Sequence, residues 1–372
     1  MKLVFASDSF KGTISSGRAA ELLEQAAHQY FPDAEGVKLE LADGGEGTAE
    51  AIVKGRGGQM MDVMVSGPLG KPVGACYGAI TADTAVFDMA SASGLTLIDK
   101  QQRDLLQASS YGSGELLEAV LHAGYKNIYI GIGGSATNDG GLGFIRALGG
   151  RFIDESGNEL AGQGRDLEKI SLIDIHDLDP LVDQADITVL CDVTNPLTGA
   201  DGATWTYGPQ KGGSYEVLAR LEAGMDNYRK VIIRQFGLDL NEVPGAGAAG
   251  GLGGALAAFT RARMRRGIET VLDILNFDEQ IRNADLIITG EGRLDHTSVN
   301  GKAVQGVCRR AKAQGIPVIA LVGDAKGGYE SLLENGLNRL ETTIDREKGL
   351  AYSLEHAEEL YYRKACEIFS SL

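Results

Sequence analysis

MKLVFASDSFKGTISSGRAAELLEQAAHQYFPDAEGVKLELADGGEGTAEAI, residues 1–52, decides the fold. Lys2 to Ala6 is apolar enough for a strand, and SDSFKGT follows it as a loop. Ser15 or Ser16 can cap a helix whose Ala19, Leu22, Leu23, Ala26 and Tyr30 share one face. A second apolar stretch, residues 37–41, runs into the glycine block ADGGEGT and then a helix through Ile52. Strand, helix, strand, helix in that order predicts a parallel sheet with helices packed on it.

The carboxyl third repeats the pattern: ADLIITG as a strand, GEGRLDHTSVNGK as a loop, a helix over 303–314, IPVIALVG as a strand, then helices around Leu332 and over 351–370. Near-continuous apolar strands of this kind predict burial on both faces. From Met60 the texture changes, because MDVMVSGPLGKPVGACYGAI and TAVFDMA read as successive strands separated by turn residues, as in hairpins. A helix over 114–122 and strands at 127–132 and 187–191 follow. A chain of 372 residues exceeds the size at which one core usually stops growing. The expectation is an α/β protein in two domains. Residues 1–65 and 276–372, from both chain ends, form a doubly wound, mostly parallel sheet of flavodoxin or Rossmann type. Residues 66–275 form an inserted second α/β domain containing mixed strands, and the active site lies in the cleft between the domains.

Formal net charge is −16, which argues against a nucleic-acid partner and against an anionic membrane surface. An anionic small substrate remains compatible if a few cations and backbone N–H groups gather in one place. No run reaches the ~18 residues of a membrane span, since the uncharged stretch from Val243 up to Arg261 is mostly Gly and Ala. The amino terminus has too short an apolar run for a signal peptide, so a cytoplasmic location is expected. Cys76, Cys191, Cys308 and Cys366 lie far apart with no CxxC pair, as buried thiols of a reducing compartment would.

The 52 glycines are about twice the usual share of roughly 7% and cluster beside Asp, Glu, Ser and Thr, as loops do where backbone approaches a ligand. In residues 127–143, NIYIGIGGSATNDGGLG, an apolar strand ends in small residues whose N–H groups can face an anion; a tight strand-to-helix turn would look the same. Asp-Gly-Gly-x-Gly occurs at residues 43–47 and 139–143, so Asp43 and Asp139 suit Mg²⁺ or a substrate hydroxyl, or else are N-caps. TGEGRLDHTSVNGK and SDSFKGT place charged residues at carboxyl ends of parallel strands, where such sheets bind ligands; a solvated charged loop and an ordinary surface lysine are the alternatives. CDVTNPLTGADGATWTYGPQKG opens with Asp192 and Asn195, and Asp192 can act as a general base or cap a turn. G-x-G-x-x-G at Gly245, Gly247 and Gly250 matches a dinucleotide fingerprint, although the preceding LDLNEVP is polar and broken by proline.

Taken in order, DSFKGT, LADGGEGT, GIGGSATNDGG, CDVTNPLTG with GPQKG, GAGAAGGLG and TGEGRLDHTSVNGK resemble the glycerate kinase family. That resemblance implies a two-domain enzyme that uses ATP and Mg²⁺ to phosphorylate D-glycerate, giving 2-phosphoglycerate and ADP, and leaves monomer and homodimer open. It places the site in these blocks without fixing each role. Chemistry then assigns Lys11, Asp192 and Arg293 to catalysis. Gly133, Gly134, Ser135, Thr137, Gly290, Glu291 and Gly292 go to phosphate and nucleotide, and Asp43 and Asp139 to the metal. Asp8, Ser9, Asn195, Asp295 and Lys302 go to the substrate. Two competing functions are a nicotinamide-dependent oxidoreductase working through the Gly245 loop and a non-catalytic sugar-acid-binding protein.

Overall fold

The computed structural model describes residues 1–10, 12–294, 303–327 and 329–372. Its contacts divide the chain into two compact units. The first comprises Met1–Asp43, Lys54–Arg56 and Gly267–Leu372, and the second Gly44–Val53 and Gly57–Arg266.

Unit 1 is built on a five-stranded sheet in the order Leu337–Thr342, Val318–Val322, Leu286–Gly290, Lys2–Ser7, Glu35–Glu40, with every pairing parallel. The strands Leu286–Gly290 and Val318–Val322 are buried throughout, as apolar runs covered on both faces must be. On one face, the helix Ser16–Tyr30 buries Ala19, Leu22, Leu23 and Ala26 beside Tyr361, Ala365, Ile368 and Phe369 of the helix Ala357–Ser370. Phe5 meets Phe369 edge to face with ring centroids 6.4 Å apart. The helix Ala303–Ala313 also packs on this sheet. Ser15 caps the first helix, its hydroxyl accepting from the Arg18 N–H at 3.2 Å. Tyr30, expected on the buried face, is instead exposed as the last residue of the helix. The helix expected over 351–370 is broken at His356 into Gly349–Glu355 and Ala357–Ser370. The strand Leu337–Thr342 went unread because its sequence, LNRLET, is mostly polar, as an edge strand allows.

Unit 2 carries a six-stranded sheet in the order Arg263–Arg265, Asp186–Leu190, Asn127–Gly131, Thr84–Asp88, Pro72–Ala79, Gln59–Ser66. Its first four strands are parallel, and the hairpin of the last two adds antiparallel pairing. The mixed character expected of this part of the chain is therefore present. The 22-residue helix Tyr215–Phe236 was not anticipated, although Leu218, Leu221, Met225, Tyr228 and Ile232 recur at helical spacing behind the Ser214 cap. Among the described residues no helix is long and apolar enough to cross a membrane.

Candidate active site

A cavity of about 360 Å³ opens in unit 1 at the carboxyl ends of the parallel strands. Asp8 and Ser9 reach it from the end of Lys2–Ser7, Asp43 from beyond Glu35–Glu40, and Glu291, Gly292 and Arg293 from beyond Leu286–Gly290. Six residues expected at the site are thus brought to one wall, because parallel strands deliver their following loops to the same edge. The Asp8 N–H donates to the Gly290 carbonyl at 2.9 Å, and the Ser9 N–H to Asp8 Oδ1 at 2.6 Å, which ties two of these loops together. Gly290 itself is a packing position: a Cβ there would collide with the Leu321 carbonyl. Asp324 and Lys326 also line the cavity and were missed. Their signal was available, since Gly323 and Asp324 directly follow the apolar strand Val318–Val322. Phe10, Ile14, Ile344, Leu350 and Leu354 make an apolar wall. Lys11, Asp295 and Lys302 lie outside the described residues.

Unit 2 gathers the remaining glycine blocks. A Cβ on Gly133 would lie 2.7 Å from Gly45 Cα, and one on Gly250 2.7 Å from Asn138 Cα. The blocks at 44–47, 131–141 and 245–251 therefore pack backbone to backbone, which only glycine permits. The Gly247 N–H donates to the Asn195 carbonyl at 3.0 Å, adding the fourth block. Asn195 is committed within its own loop, donating to the Asp201 carbonyl and accepting from the Tyr207 hydroxyl. Asp192 is half-buried at the carboxyl end of Asp186–Leu190, next to Cys191, whose thiol burial pushes up to about 11.

Under the loop that follows Asn127–Gly131 sits Lys211, only 4% exposed. Its Nζ donates to Ser135 Oγ and to the Thr137 carbonyl, both at 2.7 Å. Burial pushes this ammonium down to about 7, and the charge of Asp139 opposes the shift. GPQKG belonged to the motif set, yet Lys211 had no assigned role.

Asp139 departs from its expected metal role. It is fully buried, and Oδ2 accepts from the Ser110 N–H at 2.7 Å, the Ser110 hydroxyl at 2.8 Å and the Gly143 N–H at 3.2 Å, while Oδ1 accepts from the Gly141 N–H. Four donors and no exposure make it a cap holding the loop to a neighbouring segment. Asp88 was missed altogether. It stands at the end of Thr84–Asp88, and its Oδ2 accepts from the Gly47 and Ala49 N–H groups, capping the helix Thr48–Arg56 from another strand. The dinucleotide fingerprint fails as well, because Leu240–Glu242, a 3₁₀ turn and not a strand, precedes Gly245.

The glycerate kinase family model matches residues 3–372. The chain belongs to the glycerate kinase family. It is 41% identical to the glycerate kinase of Bacillus subtilis (strain 168), over 100% of this chain and 98% of that protein. It is 44% identical to the glycerate 2-kinase of Escherichia coli (strain K12), over 92% of this chain and 91% of that protein. A solved structure named as glycerate kinase 2 from Salmonella typhimurium LT2 superposes with a TM-score of 0.87 at 43% identity, covering 100% of this chain and 98% of that one. Family membership leaves the oxidoreductase and the non-catalytic binding protein without support.

Proposed function

We propose that this member of the family transfers the γ-phosphoryl group of ATP to a hydroxyl of D-glycerate, giving 2-phosphoglycerate and ADP. The observation that carries the reading is the match along 92% of the chain, at 44% identity, to a protein named glycerate 2-kinase. The cavity volume lies in the range of small-ligand pockets, ~300–1,000 Å³. Its apolar wall has no use on a three-carbon hydroxy acid and suits the base and ribose of a nucleotide. Arg293 and Lys326 put cations on the same wall, where they offset phosphate charge. In unit 2, Asp192 accepts the proton of the attacking hydroxyl, and the small residues at 133–135 let a phosphate or carboxylate approach backbone N–H groups.

The carboxylates lining the cavity, Asp8, Asp43, Glu291 and Asp324, with no His or Cys among the lining residues, are a hard oxygen set that fits Mg²⁺. Among the described residues they do not form a preassembled cage, as the group whose ligand atoms lie within 4.8 Å is Glu118, His122 and Asp179. A Mg²⁺ ion ordinarily takes one or two carboxylates and completes its shell with substrate oxygens. We assign Asp43 and Asp324 as its holders, and the ion when bound would neutralise phosphate charge. The four cysteines are all free thiols, which fits the cytoplasm as the place of action.

Phosphorus NMR of the product from D-glycerate and ATP tests the reaction and its position together. A phosphomonoester doublet growing with ADP is expected, because the carbon at position 2 bears one proton. A triplet would move the phosphate to position 3, and no new ester would end the reading.

A further inference from the structure

The loop of residues 131–137 is tied to the segment 93–95, to the Gly44 carbonyl through the Gly133 N–H at 3.4 Å, and to Lys211 beneath it. The Gly134 carbonyl accepts from the Leu95 N–H at 2.9 Å, and the Ala136 N–H donates to the Ser93 carbonyl at 2.9 Å. Among the described residues the Gly134 and Ser135 N–H groups carry no hydrogen bond. Gly134 is exposed, whereas Ser135 is 6% exposed and bonded through its hydroxyl to Lys211. Two adjacent amides without partners, a hydroxyl and an amine behind them are the donor set of an oxyanion site. The amine is unusual in its isolation. Among the described residues no carboxylate forms an ion pair with it; the charged group that acts on it is Asp139, two residues beyond the loop, and Arg103 is held by the carbonyl of the residue before Lys211, its Nη1 donating to Gln210 at 3.1 Å. Asp139 is already held by four donors, so the pair is poorly matched.

We propose that Lys211 is the counter-charge of this loop and takes up its proton together with a small oxyanion seated on the Gly134 and Ser135 amides. The inference rests on the phosphoryl-transfer reading, which supplies two such oxyanions: a nucleotide phosphate and the glycerate carboxylate. A neutral amine can donate to Thr137 and accept from the Ser135 hydroxyl, so the loop is complete without a buried charge. An arriving anion reverses the balance, because a nearby negative charge favours the ammonium form. The depressed value near 7 sets the window: at about pH 8 the empty site is mostly neutral, and the occupied site would be mostly charged.

Calorimetric titration of the full chain at about pH 8, in Tris and in HEPES, reads the protons taken up from the difference in buffer ionisation heat. At that pH both ligands are fully ionised and contribute no proton of their own. Mg·ATP and D-glycerate are titrated separately, and the ligand whose binding takes up a proton identifies the oxyanion. One of the two is expected to bind with uptake approaching one proton per chain. Lys211→Met is expected to abolish that uptake and weaken the same ligand by about 10- to 100-fold, the usual effect of losing a hydrogen bond to a charged group. Binding of both ligands with no uptake by the unaltered protein would overturn the proposal, as would undiminished uptake in Lys211→Met. If the variant does not fold, the unaltered protein alone decides. Product formation without uptake sinks this inference and leaves the kinase reading standing. Absence of both binding and product removes the two together.

Discussion

The two Asp-Gly-Gly-x-Gly blocks share a pattern and have opposite fates. In residues 139–143 the aspartate turns inward, and Asp139 accepts the N–H of Gly143 four positions on. In residues 43–47 the matching N–H, that of Gly47, goes to Asp88 from a different strand at 2.9 Å, and Asp43 stands on the cavity wall. The fourth residue separates the cases: Leu142 is wholly buried and draws its loop into the core, whereas Glu46 is exposed. One local pattern can therefore serve as scaffold or as site, depending on which carboxylate caps the amides behind it.

Removing the inward carboxylate should have the largest effect. Asp139→Ala leaves four buried donors without their acceptor and is expected to destabilise unit 2 by about 3–5 kcal/mol. The single tryptophan, Trp205, lies in that unit, so its fluorescence in a urea titration reads the change. A loss under about 1 kcal/mol would show that the cap is dispensable.

Asp88 gives the next effect, through pH. Burial pushes its carboxyl up to about 7, against the pull of the Ala49 and Gly47 N–H groups. Between about pH 4 and 7 the native protein holds a proton that the unfolded chain has released, so this contribution is full below about 4 and is lost as pH rises to 7. In Asp88→Asn that slope disappears. The fall in unfolding free energy from about pH 5 to 7.5 should be smaller than in the unaltered protein by roughly 1–3 kcal/mol, and identical slopes would contradict the assignment.

The glycines complete the contrast. A Cβ on Gly143 would lie 2.6 Å from the Tyr111 backbone nitrogen, so Gly143→Ala should cost about 1–3 kcal/mol in the same urea titration. Gly47 has open space around its missing Cβ, and only its φ of +89° resists substitution, so Gly47→Ala should cost about 1 kcal/mol. A reversed order would mean that the two loops are not packed as described.

Much of this was legible in the chain. Alternating apolar strands and capped helices showed the parallel sheet of unit 1, and glycine blocks at strand ends marked the residues that reach the cavity. Asp8, Ser9, Asp43, Glu291 and Arg293 were readable because parallel strands hand their following loops to one edge. Lys211 and Asp88 were not, because each acts on a block distant in sequence: Lys211 lies 76 residues from Ser135, and Asp88 lies 41 from Gly47. Local pattern carries no signal for such pairings. Sequence pattern left Asp139 open between a ligand and a cap for the same reason, since its partner Ser110 lies 29 residues away.

Asp43→Asn tests most directly whether the outward copy of the pattern does chemistry while the inward copy holds the fold. Steady-state turnover of glycerate with ATP should fall by about 10²- to 10³-fold, as on removal of one preorganised group, while the urea midpoint stays unchanged. Turnover close to that of the unaltered protein, or a loss that merely follows a loss of stability, would contradict it.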